Sequence, residues 1–187
     1  MSLKICSINV NGFRDSSKFK NKRDTILAEW RKGRIDLAFL QETHILSKSE
    51  EKRYFKNWDW KAFSSFGSNR ARGGSTLISK FLGYKVVRNE HDWEGRCIFL
   101  DIDIADYKFW VINIYAANNA SERKKFFRDM DVILLTRRQI IWGGDFNCFE
   151  NLALDRKGGR ERDRGGWRNK KPKKWLWASR RLSCFTP

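Results

Sequence analysis

Asp145 and Asn147 stand two residues apart at the end of Ile140-Ile141-Trp142-Gly143-Gly144-Asp145-Phe146-Asn147, where an apolar run meets two glycines. Residues i and i+2 of an extended segment share a face. The Asp and the Asn can therefore address one reacting group if the extension continues past the glycines. Gly143 and Gly144 admit close backbone approach or a positive φ. The same residues also fit a strand that closes in a polar turn. Four further polar residues hold similar positions. Glu42 follows an apolar run, Asn11 opens an Asn-Gly pair, and Tyr115 ends another apolar run with Asn118 three residues on. Each has an ordinary alternative: a solvated strand end, a turn asparagine, a half-buried aromatic. Their common position at strand ends links them, because α/β folds assemble sites from distant sequence along one rim of a sheet. Glu, Asp, Asn and Tyr gathered there would suit a phosphate group and a hard divalent cation that keeps several waters. His44 and His91 are the only histidines, so no zinc-type ligand set exists. His44 fits a ligand or base, or equally a structural or exposed residue.

The elements that must position these residues read as follows. Residues 3–10 form a strand ending at Asn11-Gly12. Residues 19–34 form a helix with an apolar stripe of Ile26, Leu27 and Trp30, and Gly33 as its stop. Residues 35–41 form a strand apolar on both faces, hence central and buried. Residues 47–57 form a short helix, residues 58–66 resist assignment, and residues 67–74 are a basic glycine-containing loop. Short strands follow over 75–79 and 84–88. Residues 97–104 alternate, with Ile98, Leu100, Ile102 and Ile104 on one face and Asp101 and Asp103 on the other, so this strand is expected to be half-solvated. A tight turn at Asp106-Tyr107 makes a hairpin with residues 108–115. Ser121 is the expected N-cap of a helix over 122–138, and residues 139–144 form the strand that delivers Asp145. Strands alternating with helices around one hairpin indicate a mixed α/β sandwich with helices outside.

Composition narrows the partners. The 187 residues carry a formal net charge of +17, which favours a polyanion, nucleic acid before an anionic membrane. Residues 156–187 hold 12 Lys and Arg against 2 acids, in a low-pattern sequence whose only apolar cluster is Trp175-Leu176-Trp177. The expected organisation is a domain over 1–155 and a basic irregular tail over 156–187. Cys6, Cys97, Cys148 and Cys184 form no CxxC pair, which argues for reduced thiols. No signal-peptide layout or membrane-length apolar run is present. The expectation is an intracellular protein with no membrane partner, in the nucleus if it acts on chromosomal DNA.

Five stretches, in order, resemble the endonuclease/exonuclease/phosphatase superfamily, and within it the apurinic-type endonuclease domain of non-LTR (LINE-type) retrotransposons. They are Ser7-Ile8-Asn9-Val10-Asn11-Gly12, Phe39-Leu40-Gln41-Glu42-Thr43-His44, Gly73-Gly74-Ser75-Thr76-Leu77-Ile78-Ser79, Asn113-Ile114-Tyr115-Ala116-Ala117-Asn118 and Gly143-Gly144-Asp145-Phe146-Asn147. The resemblance implies a four-layer αββα sandwich of the DNase-like type, an α+β fold, with the C-terminal part of its second sheet incomplete. It implies a DNA-binding hydrolase: a Mg2+-dependent endonuclease, with Mn2+ as an alternative, that nicks DNA and leaves a 3′-hydroxyl for target-primed reverse transcription. By the same resemblance Glu42 and Asn11 would hold the metal. Asp145 would align or deprotonate the attacking water, and Asn147 would orient Asp145 and the scissile phosphate. Tyr115 would complete the catalytic set, and Asn118 would bind the phosphate.

Two departures stand out. Ala117 replaces the proline of the family's Tyr-Ala-Pro-Asn, and both histidines precede residue 92, so the family's terminal Asp-His motif has no counterpart in these residues. A truncated copy with impaired activity is expected. The alternatives are a non-catalytic nucleic-acid-binding relic of a retrotransposon endonuclease and, third, a phosphatase of the same superfamily. The sequence leaves the oligomeric state open.

Overall fold

A computed structural model describes residues 2–13, 21–67, 72–92, 94–131, 136–148 and 176–178. Nine strands and three helices occur among them, in the order β1 (Ile5–Asn9), α1 (Lys22–Gly33), β2 (Leu37–Gln41), α2 (Lys48–Phe55), β3 (Trp60–Ser65), β4 (Gly74–Ser79), β5 (Tyr84–His91), β6 (Cys97–Ile104), β7 (Tyr107–Tyr115), α3 (Ala120–Asp131), β8 (Gln139–Asp145) and β9 (Leu176–Ala178). The first sheet has the order β1-β2-β4-β3 and the second β5-β6-β7-β8-β9. No helix among the described residues is long and apolar enough to cross a membrane.

The layering follows from which residues each strand buries. Leu37 and Phe39 of β2 join Ile98, Leu100, Ile102 and Ile104 of β6 in a core between the sheets. Ala38 and Leu40, on the opposite face of β2, pack with Leu27 and Trp30 of α1 and Tyr54 and Phe55 of α2. The two-faced strand is thus central, as its pattern predicts, and all five of its residues are buried. A third cluster sets Phe127 and Met130 of α3 against Ile112, Ile114 and Trp142 of the second sheet. Helix, sheet, sheet and helix make four layers, the αββα sandwich.

Local signals set the helix ends. Ser47 caps α2 by accepting from the Glu50 N–H, and Asp24 near the start of α1 with Arg31 and Lys32 at its end complement the helix dipole. The left-handed residue after α1 is Arg34 (φ 53°) rather than Gly33, and its N–H reaches the Arg31 and Trp30 carbonyls. Helix α3 starts earlier than expected and its cap is Asn119, not Ser121. The Asn119 Oδ1 accepts from the N–H groups of Ser121 (2.9 Å) and Glu122 (3.2 Å). The polar face of β6 is also not half-solvated. Asp101 is buried and Arg138 lies 3.0 Å from it and 3.1 Å from Asp103. Strand β9 falls inside the segment read as a basic tail and pairs in parallel with β8, Trp142 opposite Trp177. The rest of residues 149–187 lies outside the described residues.

Candidate active site

Two pairs of strands bring the polar residues to one rim. In the first sheet Asn9 lies opposite Gln41, one residue before Glu42. In the second, Tyr115 lies opposite Asp145. A buried polar link between the sheets sets these rims face to face. The Gln41 amide donates to Asn113 Oδ1 (2.8 Å), and the Asn113 amide donates to the carbonyls of Leu40 (3.2 Å) and Ser75 (3.0 Å). A buried network satisfied in this way tolerates one register only, since any slip leaves its polar atoms unpaired. Glu42 sits one residue past one partner of the link, and Tyr115 two residues past the other.

The two glycines before Asp145 have separate reasons. A Cβ on Gly143 would lie 2.4 Å from the Phe39 ring of the facing sheet. Gly144 adopts φ +146°, and a Cβ there would lie 2.0 Å from the Ile114 carbonyl oxygen. Bare backbone at both positions lets β8 press onto β2 and β7 while it carries Asp145 to the rim.

The centre of the site is an amide between two carboxylates. Asn9 Nδ2 donates to Glu42 Oε1 at 2.8 Å and to Asp145 Oδ2 at 3.0 Å, while its Oδ1 accepts the Asn11 N–H at 3.0 Å. Tyr115 joins through a hydrogen bond to Glu42. Burial, then that bond and the charges of Glu42 and Asp145, push its hydroxyl up to about 12 against the opposing Arg96 guanidinium. At neutral pH the phenol is therefore a proton-bearing donor. The Asn147 N–H reaches Asp145 Oδ1 (3.1 Å), and its side chain donates to the Ala116 carbonyl (2.7 Å).

Four rim residues hold positive φ: Asn11 (46°), Glu42 (52°), His44 (55°) and Asn147 (46°). Such backbone is costly for a glutamate or a histidine and persists only where the surroundings over-determine it. Here they do. Residues 42–44 are clamped on one side by Gly12 N–H to the Glu42 carbonyl (2.6 Å) and Phe13 N–H to Thr43 (3.2 Å). On the other side, the Thr43 and His44 N–H groups reach the carbonyls of Gly73 (3.0 Å) and Arg72 (3.1 Å). The His44 imidazole packs over Gly12, where a Cβ would meet its Nδ1 at 2.8 Å.

Of the six residues singled out in the sequence, the structure joins Glu42, Tyr115, Asp145 and Asn147 in one network. Asn11 enters it through its backbone. Asn118 is exposed beside it, and among the described residues its side chain makes no hydrogen bond to the cluster. The extended course expected from Asp145 to Asn147 is not followed. The left-handed turn at Asn147 makes the contact through a backbone N–H instead. Two residues escaped the sequence reading. Asn9 was hidden inside a strand, although an asparagine two residues before Asn11 in an apolar run was its signal. Arg96, whose side chain is 12% exposed, gave no local sign.

The donors are carboxylate and amide oxygens, and no group of three or more His, Cys, Asp or Glu gathers among the described residues. Such a set fits a hard cation that takes one or two carboxylates and keeps waters, and does not fit a closed zinc site.

Similarity to known proteins agrees with this geometry. Residues 6–183 match the endonuclease/exonuclease/phosphatase family. The chain is 28% identical over 166 residues to the transposon TX1 uncharacterized 149 kDa protein of Xenopus laevis, a match covering 87% of this chain and 12% of that protein. Among solved structures it is similar to D. rerio TDP2 complexed with a single-strand DNA product, with 17% identity and a TM-score of 0.61, covering 82% of this chain and 63% of that one. It is also similar to an AP endonuclease from Archaeoglobus fulgidus, with 19% identity and a TM-score of 0.61, covering 80% and 59%. The folds coincide, the matched segment spans nearly the whole sequence, and the chain belongs to the endonuclease/exonuclease/phosphatase family.

Proposed function

We propose that this chain is a Mg2+-dependent DNA endonuclease that hydrolyses one phosphodiester bond and leaves a 3′-hydroxyl, as part of a transposon-type protein. The single observation that carries the reading is the Asn9 amide held between the Glu42 and Asp145 carboxylates. It gives two carboxylates at one rim different tasks. Glu42, with Asn11 beside it, is placed to hold the cation. When bound, the cation would neutralise charge growing on the phosphate oxygens. Asp145, steadied by Asn9 and by the Asn147 N–H, is placed to orient a water and take its proton. As the water oxygen bonds to phosphorus, the bond to O3′ breaks, and the departing oxygen takes a proton from solvent, leaving a 3′-hydroxyl and a 5′-phosphate. The Tyr115 hydroxyl, kept protonated and hydrogen-bonded to Glu42, steadies that carboxylate beside the substrate phosphate, and Asn118 binds the phosphate from the exposed side. The net charge of +17 suits a DNA strand and the nuclear setting that chromosomal DNA would require.

Supercoiled plasmid incubated with Mg2+ tests this. Nicking should fall by about two orders of magnitude or more in Asp145→Ala, and equal nicking by both proteins would sink the proposal. A second reading, a nucleic-acid binder without turnover, is favoured by one feature: the formal net charge of +17. It predicts salt-sensitive duplex binding with no Asp145-dependent nicking.

A further inference from the structure

We infer that Arg123 is a positioning residue for this site, holding the turn after β7 so that Asn118 faces the substrate phosphate; the inference rests on the phosphodiesterase reading above. Arg123 lies in the first turn of α3 and is 9% exposed. Its Nη1 donates to the carbonyls of Ala117 (3.0 Å) and Asn118 (2.8 Å). Among the described residues no carboxylate lies within ion-pair distance of it. Its neighbour Glu122 reaches Arg96 instead, at 3.4 Å. Burying a guanidinium with no carboxylate partner among the described residues is costly, more than tethering an ordinary surface turn would warrant. The expense is intelligible if the charge serves the group that docks on that turn.

The geometry of the turn says what is served. The Ala116 N–H reaches the Asp145 carbonyl (2.8 Å), and the Asn147 side chain reaches the Ala116 carbonyl (2.7 Å), so the turn leaves the catalytic network itself. Arg123 then takes the next two carbonyls with its guanidinium and the Asn119 carbonyl with its backbone N–H (3.0 Å). In a planar trans peptide the N–H points opposite to the C=O. With the Ala117 and Asn118 carbonyls drawn inward, the N–H groups of Asn118 and Asn119 are turned outward. Neither has a partner among the described residues, and both residues are exposed. Two outward amides, the Asn118 side chain and a positive charge behind them form a donor edge for a phosphate oxygen. The turn reads Ala116-Ala117-Asn118-Asn119 and has no proline to stiffen it, so Arg123 supplies the constraint.

The test is a double-mutant cycle of Arg123→Met with Asn118→Ala in the full chain. It is read as Mg2+-dependent plasmid nicking and as affinity for a fluorescent DNA duplex in the presence of Mg2+. Arg123→Met should lower kcat by about 10- to 100-fold with little change in KM. It should cost clearly less once Asn118 is Ala, when only the two backbone amides remain to be held, and guanidinium ion in the assay should restore part of the loss. Equal losses in both backgrounds would overturn the inference, because they mark a merely structural tether. Should Arg123→Met fail to fold, Arg123→Lys, which keeps the charge but reaches fewer carbonyls, carries the same cycle. If the unmutated chain shows no Asp145-dependent nicking, the endonuclease reading fails separately. The cycle is then decided by duplex affinity: coupling of the two positions upholds the role of Arg123, and independence overturns it.

Discussion

Replacing Asn9 tests the centre of the site directly. Its amide uses both hydrogens, one on Glu42 at 2.8 Å and one on Asp145 at 3.0 Å, and its oxygen holds the Asn11 N–H at 3.0 Å. Hydrogen bonds to charged groups contribute about 1.5–3 kcal/mol each. The site is only partly buried, so the lower end applies, and Asn9→Ala should remove about 3 kcal/mol of site organisation. That corresponds to a fall of about 100-fold in kcat/KM. Because these bonds are made in the folded state before substrate arrives, Tm should fall as well, by roughly 6–12 °C, although the strand pairing of β1 with β2 is untouched. Asn9→Asp separates the two jobs of the side chain. It keeps an oxygen for Asn11 but replaces the shared donor with a third negative charge beside Glu42 and Asp145. This variant should be less stable than Asn9→Ala without a divalent cation and should regain stability as Mg2+ is added, with a steeper Mg2+ dependence of nicking. Initial rates of plasmid nicking across a Mg2+ titration, with thermal melts of each variant, supply the measurements. The reasoning is refuted if Asn9→Ala stays within about threefold of the parent while Asp145→Ala abolishes nicking.

Three further outcomes follow from the packing and the charges. Gly143→Ala would place a Cβ 2.4 Å from the Phe39 ring; it should cost about 1–3 kcal/mol in urea denaturation and weaken nicking, with part of the stability recovered by adding Phe39→Leu. Arg138→Met strands Asp101 and Asp103; the pair is partly exposed, so the destabilisation should fall below the roughly 3–5 kcal/mol of a fully buried pair, and adding Asp101→Asn should restore part of it. Burial, then the Asp92 carboxylate, pushes the Cys97 thiol up to about 12. The folded state therefore holds that proton more tightly than an unfolded thiol of pKa about 8.5. The resulting stability is complete below pH about 8.5 and is lost as pH rises toward 12. Urea midpoints should fall more between pH 8 and 10.5 in the parent than in Cys97→Ala, and alkylation of Cys97 should be slow at pH 8.

Periodicity made the layers legible. The two-sided apolar pattern of residues 35–41 placed β2 at the centre, and the stripe of Ile26, Leu27 and Trp30 pointed α1 at it, with Leu27 and Trp30 buried in the cluster. What stayed hidden depended on partners distant in sequence. Asp101 looked solvated because alternation is local, whereas its cover, Arg138, comes from across the second sheet. Ser121 was expected to cap α3 because its type suits the position, but the turn before the helix gives that role to Asn119. Asn147 does not share the face of Asp145 because β8 passes through both glycines, ends at Asp145 and gives way to a left-handed turn at Asn147, where the period-2 rule no longer holds.

The same distinction explains why the site could be listed from sequence but not assembled. Strand-end position is a one-dimensional property, and it found Glu42, Tyr115 and Asp145. Facing one another is a property of register, and register here depends on Gln41 and Asn113, two buried residues with no chemistry of their own to announce them. Moving either strand by one residue would turn Glu42 or Tyr115 to the opposite face and break the hydrogen bonds of that link. The bonds that secure the sandwich and the bonds that align the carboxylates are therefore continuous, from Ser75 and Leu40 through Asn113 and Gln41 to the rim. Accurate placement of Asp145 is, on this argument, a consequence of the fold's own core rather than of the loops around it.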